Sequence, residues 1–239
     1  MTVNELAEEV GNPDPPPLSY GQLLRLDQLL PVARVHEEDP DWTLFLATHQ
    51  SCEIWFAIVL CHLEAAGRAL RAGDGTVAAH RVEALPQMMR VLNDQFDALS
   101  TLTPEAFARV RARLGNTSGF QSVQWREIEF LCGLRDERLL LTHGLTEADR
   151  ERLRARLAAP SVADSLARYR AAGPPAAALD RVHAALLGFD EAVVTWRGRH
   201  AALAERFLGD APGTAGSEGA DYLWRAARRR LFPMVWPGG

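Results

Sequence analysis

Apolar positions recur every three or four residues along most of this 239-residue chain, which is the period of a helix. From Tyr20, "YGQLLRLDQLL" places them at 23, 24, 26, 29 and 30, predicting a short amphipathic helix. A longer stretch from Asp41 to about Ala72 carries Phe45, His49, Cys52, Phe56, Val59 and Leu63 on one stripe, with Asp39 or Asp41 as its cap. Val82, Leu85, Met89, Leu92 and Phe96 predict a second long helix over 76–99, which Pro86 should kink or deprive of a hydrogen bond. Thr103, followed by proline, opens "TPEAFARVRARLG", which ends at Gly115. "QSVQWREIEFLCGL" reads as a further helix, and residues 146–172 suit one or two short ones. After the linker "AAGPPAAA" comes a long helix from Leu179 to Leu208, then the glycine-rich "GDAPGTAGSEGA" and a last helix over 221–230. No alternating strand pattern and no repeat interrupts the series. The fold class is therefore all-α, a long-helix bundle. Residues 1–17, acidic and ending in "NPDPPP", read as a mobile arm, and 18–239 as a single helical domain.

Composition narrows the partners. A net charge of −5 argues against nucleic acid and anionic membranes. Every one of the 26 cationic side chains is arginine, a residue suited to bidentate carboxylate binding. Cys52, Cys61 and Cys132 form no CxxC and no CxxCH, so a disulfide framework, a thiolate zinc site and a c-type haem attachment are unsupported. So sparse a cysteine count fits a reducing compartment. No secretory signal opens the chain and no run approaches 18 apolar residues, so the expected location is the cytoplasm, without a membrane span.

Candidate chemistry centres on two of the seven histidines. His49 lies on the first long stripe, and His200 on another with Val193, Trp196, Leu203 and Phe207. Each could be a core histidine with a satisfied hydrogen bond. Helical bundles also build cofactor sites from side chains on different helices, and neutral imidazole is an iron ligand in haem proteins. No HExxH or ExxH pairing points to a carboxylate-bridged metal centre. Phe107 and Arg111 share a helical face, where an arginine can hold a carboxylate while the ring packs on the ligand; Arg111 could equally be solvated beside Arg109 and Arg113. "APGTAGSEG" can be a flexible loop or a lid, but no GK[ST] makes it a phosphate-binding loop. No convincing GxSxG or Ser/His/Asp arrangement supports a hydrolase.

Several segments resemble, in order, those of the tryptophan 2,3-dioxygenase family: "YGQLLRLDQLL", "LFLATHQSCEIWF", "LGNTSGFQSVQWREIEFLCG", "WRGRH" and "GTAGSEG…DYLWRAARRRLFPMVW". The specific pieces are "THQ-x-x-E-x-W" and "SGFQS-x-Q-x-R". The resemblance implies a bundle enclosing a b-type haem, dioxygen as co-substrate, and a homo-oligomer, tetramer or dimer. Its reaction inserts dioxygen across the indole C2–C3 bond to give an N-formylkynurenine-type product. By the same resemblance His200 would be the iron ligand, and His49 would lie close to the indole N–H. Phe45 would line the pocket beside substrate and haem, Phe107 would sit where a tyrosine is frequent, and Arg111 would clamp the carboxylate. Ser118 would lie near the haem, and Thr214 would contact the ammonium and carboxylate. Tyr20, Leu23 and Leu24 would belong to a segment reaching a neighbouring subunit's site.

Phe107 and Leu23 depart from the family's frequent tyrosines, and residues 136 to 190 look short. A more apolar pocket would suit a substituted tryptophan. Two alternatives stand beside the dioxygenase reading. One is a related haem monooxygenase giving an oxindole or a hydroxylated aromatic amino acid. The other, of a different class, is a non-catalytic helical ligand-binding protein.

Overall fold

The structure, a computed structural model, describes residues 18–33, 39–209, 213 and 219–238. The N-terminal arm and nearly all of the glycine-rich stretch, Thr214 included, lie outside the described residues. Among the described residues every regular element is helical. In chain order they are α1 (Tyr20–Leu23), α2 (Leu26–Ala33), α3 (Pro40–Arg71), α4 (Gly75–Glu83), α5 (Leu85–Leu99), α6 (Pro104–Leu114), α7 (Val123–Cys132), α8 (Glu147–Ala158), α9 (Val162–Ala171), α10 (Ala176–Leu208) and α11 (Ala220–Ala227). Short 3-10 turns cover Gly119–Gln121, Glu137–Leu141 and Pro233–Val235.

Two expected helices are divided. The pattern over 76–99 folds as α4 and α5, with Pro86 in the first turn of α5 and Ala84 as the joint. Proline cannot donate to the preceding turn and its ring crowds the carbonyl four residues back, so the chain restarts rather than kinks. The N-terminal pattern breaks at Leu24–Arg25, where Arg25 adopts a left-handed φ of 52°. Leu23 and Leu24 are exposed there, so no core contact holds a continuous helix. The linker is also shorter than expected, because α10 already begins at Ala176.

The two longest helices, α3 with 32 residues and α10 with 33, each extend about 50 Å at 1.5 Å per residue. Both lean on α4 and α5 more than on each other, so side chains must fill the space between them. Phe56, Phe96, Trp125 and Trp196 do so midway, with Trp196 4.7 Å from Trp125, 5.7 Å from Phe56 and 6.0 Å from Phe96, centre to centre. To one side the core is dense: Val59 and Leu63 of α3, Leu85 and Leu92 of α5, and Leu186, Phe189 and Val193 of α10 are all fully buried. There α9 lies against α3, and Gly75 admits Tyr169, whose hydroxyl would stand 2.2 Å from any added Cβ.

By length and composition α3 could cross a bilayer, with a mean hydropathy of 1.5 over its most apolar 18 residues. In the fold it packs against α2, α4, α5, α6, α7 and α9, and 22% of that apolar stretch is buried. The C-terminal segment is tied down by Asp190 of α10, a fully buried carboxylate. It accepts the backbone N–H groups of Leu231 and Phe232, each at 2.9 Å, and the indole N–H of Trp236 at 2.8 Å.

Candidate active site

The N-terminal end of α3 is fixed before it reaches its histidine. Asp39 caps the helix by accepting the N–H of Trp42 and pairs with Arg113 at 2.9 Å; Asp41 pairs with Arg109 at 3.0 Å. Two arginines of α6 thus hold that helix against the start of α3. His49 follows two turns later, its ring 4.1 Å from that of Phe45, and its Nδ1 lies 2.7 Å from the Phe45 carbonyl oxygen. A carbonyl can only accept, so the proton resides on Nδ1 and Nε2 keeps a free lone pair. Burial lowers the His49 pKa, against the opposing pulls of the Phe45 carbonyl and the Glu53 charge. The ring is therefore a neutral acceptor at pH 7.

His200 sits on α10, flanked by Phe96 of α5 (ring centres 5.7 Å apart, nearly parallel) and by Trp196 one turn earlier (6.0 Å). Burial is the main cause that drops its pKa to about 4, and the nearby His49 lowers it further. The His49 ring disfavours charge on His200, which brings the two helices' histidines into one neighbourhood. Both histidines are half-buried, with protein packed around their rings. A neutral, uncommitted imidazole is what a metal ligand requires. Among the described residues no three His, Cys, Asp or Glu side chains converge on one metal site.

Aromatic rings extend this neighbourhood. Phe107 of α6 stacks on Phe207 of α10 at 4.4 Å and meets Phe45 edge-on at 6.5 Å. Arg111, one turn after Phe107, is half-buried on the same helix. Ser118 caps the 3-10 turn Gly119–Gln121 in a reciprocal pair with Gln121 and is half-buried. Phe45, His49, Phe107 and His200 are thus brought together, while Tyr20 and Leu24 are not. Those two are exposed on α1 and its cap, which pack against α2. Thr214 lies outside the described residues. A separate hollow of about 330 Å³ opens between α10 and α11, lined by Val194, Gly198, Trp224, Ala227, Arg228 and Arg230. Neither imidazole lines it.

Several supports had no reading from periodicity. Gln124 of α7 donates to both the backbone and the side-chain oxygen of Glu53 at 2.8 Å, joining "THQSCEIW" to "SGFQSVQ". Arg126 and Glu129, in the middle of α7, are buried together with Arg197 of α10. Charges spaced through the apolar "QWREIEFLC" were the available signal, because α7 is buried from Trp125 to Cys132 on all sides. Phe207 belongs to the His200 stripe, yet its stack on Phe107 could not be read from spacing.

The chain was compared with known proteins. The tryptophan 2,3-dioxygenase family model matches residues 8–167. The tryptophan 2,3-dioxygenase of Anaeromyxobacter sp. (strain K) is 37% identical, over 92% of this chain and 94% of the relative. That of Nocardioides sp. is 38% identical over 92% of each, and that of Caulobacter vibrioides 32% identical over 92% of this chain and 96% of its own. The Anaeromyxobacter alignment runs over 249 positions, more than the 239 residues available, so this chain is gapped against it. With two thirds of its length matched by the family model, and with relatives above 30% identity over nearly all of it, the chain belongs to the tryptophan 2,3-dioxygenase family.

Proposed function

We propose that the protein is a haem-dependent oxygenase that inserts dioxygen into the indole C2–C3 bond of L-tryptophan or a substituted tryptophan, giving an N-formylkynurenine-type product. The observation that carries this reading is the pair of neutral imidazoles, His49 and His200, brought near each other from two helices with aromatic rings beside both. Membership of the family adds the reaction that its named relatives perform.

The residues present fit a b-type haem. His200 is desolvated and uncharged, flat aromatic rings flank it, and the buried indole N–H of Trp196, one turn earlier, has no hydrogen-bond partner. His200 would hold the iron, with Phe45 and Ser118 beside the macrocycle. Bound there, haem supplies the activation of dioxygen.

The protein's own groups bind and orient. Arg111 takes the substrate carboxylate in a two-point contact that fixes the amino acid's register. Phe45 and Phe107 pack the indole and exclude water. Nε2 of His49 accepts the indole N–H, held to that role because Nδ1 is committed to the Phe45 carbonyl. Thr214 completes the recognition of the amino acid's polar end. Phe107 brings no hydroxyl to this wall, which favours a substrate with added apolar bulk. Leu18, Tyr20, Leu23 and Leu24 are exposed, as suits a segment that covers the site of a second copy in a homo-oligomer. Three free cysteines suit the cytoplasm.

The test is turnover of L-tryptophan by the haem-loaded, reduced protein under ¹⁸O-labelled dioxygen. Product carrying two labelled oxygens is expected. One labelled oxygen assigns a monooxygenase instead, and tryptophan bound without turnover assigns a ligand-binding protein.

A further inference from the structure

Glu129, at the centre of α7, accepts two arginines. Its Oε2 takes Nη1 of Arg126 at 2.6 Å and its Oε1 takes Nη2 of Arg197 at 2.7 Å. Side-chain exposure of all three is 5–6%, so three charges are held in the interior. Each arginine has a second commitment. Nη2 of Arg126 donates to the Phe120 carbonyl at 3.0 Å, and the same guanidinium lies 4.3 Å from the centre of the Phe120 ring. Nη1 of Arg197 donates to the Arg229 carbonyl at 2.7 Å, just beyond α11. At the other end of α11, Tyr222 meets the Phe120 ring edge-on at 5.3 Å. The links close a ring: Phe120 to Arg126, to Glu129, to Arg197, to α11, and back to Phe120.

Stability does not explain this arrangement. Burying an Arg–Glu–Arg set costs more desolvation than its attraction returns in many proteins, and apolar replacements are often neutral or better. Here the cost is raised further, because Nε of Arg126 is buried without a hydrogen-bond partner. What the set achieves is geometric. It holds the turn Ser118–Gln121 by both backbone and ring, and joins it to α10 three residues before His200.

We propose that Arg126, Glu129 and Arg197 are positioning residues, a buried relay that sets the Ser118–Gln121 turn against the helix bearing His200 and so fixes the spacing of two walls of the site. The proposal rests on the assignment of that site to an aromatic amino acid. None of the three residues touches the substrate.

The experiment uses the full chain with Arg126→Lys, Arg197→Lys and Glu129→Gln. The lysine variants keep the charge and lose one of two donors, so they serve if the glutamine variant fails to fold. The first readout, hydrogen–deuterium exchange, needs neither haem nor turnover. Each variant should exchange the Gln121 and Ser122 amides faster, by about tenfold for one lost charge-assisted bond, while Leu92 in α5 stays protected. The second readout is L-tryptophan kinetics on haem-loaded protein: KM rises while kcat per haem holds. Because both arginines act through Glu129, the Arg126→Lys/Arg197→Lys double variant should be no worse than either single one. A lower melting temperature with exchange at the turn unchanged overturns the proposal, and so do additive effects in the double variant. Wild-type protein that never binds or converts tryptophan overturns the site assignment, while the exchange measurement still decides the relay.

Discussion

The two ends of α3 and α10 are built from the same pattern and do different things. On α3 the stripe runs from Phe45 and His49 to Val59 and Leu63; on α10 it runs from Val182 and Phe189 to His200 and Phe207. Past Phe56 and before Trp196 these positions are sealed, with Val59, Leu63, Phe189 and Val193 at 0% exposure. Beyond them Phe45, His49, Cys52, His200, Leu203 and Phe207 are all half-buried. Periodicity is equal on both sides, so it does not decide between core and site. What decides is the bulk placed opposite. Phe56, Trp125 and Trp196 fill the space between the helices at mid-length, and past them the helices carry rings and imidazoles that are only half-buried. An apolar helical stripe is a statement about facing inward, and an interior can be either packed or hollow.

The largest effect should come from the open end. His200→Ala should abolish turnover and remove or alter the Soret band of haem-loaded protein, while the circular dichroism of the fold is kept. Retained axial coordination would erase the distinction between the ends. Next is a paired truncation. Phe189→Ala empties a fully buried site and should cost about 3–5 kcal/mol in chemical denaturation, with kcat per folded molecule unchanged. Phe207→Ala, at a half-buried ring, should cost about 1 kcal/mol or less, since its ring forfeits fewer packing contacts, yet it should raise KM by loosening Phe107. Equal stability losses would mean that the open end is packed after all.

Legibility in the sequence follows the same division. Helices with a strong stripe and a local stop were readable: Asp39 and Thr103 cap where expected, and Gly115 ends α6. Pro86 was visible, but its outcome depended on whether α5 found separate partners, which is tertiary. His49 and His200 were readable as inward-facing. Their shared neighbourhood was not, because it arises from α4 and α5 each packing against both long helices. The buried charges of α7 were the hardest. Arg126 and Glu129 look like a solvated pair at i and i+3, and only the arrival of Arg197 from 68 residues away makes them interior. Motif resemblance supplied what periodicity could not, since "THQSCEIW" and "SGFQSVQ" meet in space through Glu53 and Gln124.

Arg111 sharpens the comparison at the rim. Arg109 and Arg113 are engaged by Asp41 and Asp39 and serve to hold α6. Arg111→Leu should therefore leave α6 in place and raise the KM for the amino acid by about thirtyfold to a hundredfold, the worth of a charge-assisted two-point contact. Arg109→Leu should leave KM unchanged, because an exposed ion pair is worth about 1 kcal/mol or less. A KM effect of equal size from both would place the carboxylate elsewhere.

The smallest predicted effect concerns the protonation of His49. Its pKa lies below the ordinary 6.5, chiefly because burial disfavours the imidazolium. On the proposed role, the form that would accept the indole N–H is the neutral one. A lowered pKa moves loss of that form to more acidic pH, so kcat/KM should stay flat from pH 8 down through 6.5 and fall only below it. Glu53 opposes the shift, since its charge favours the imidazolium. Glu53→Gln should therefore carry the acid limb lower still, provided the contact to Gln124 survives as an amide pair. His49→Gln keeps an acceptor at every pH and should remove the limb, at a cost of about fivefold to tenfold in kcat/KM for an imperfectly placed bond. An acid limb centred at 6.5 in the wild type would mean that the ring is open to water. In that case the gap around His49 would be part of the protein's surface rather than an interior that excludes solvent from the indole.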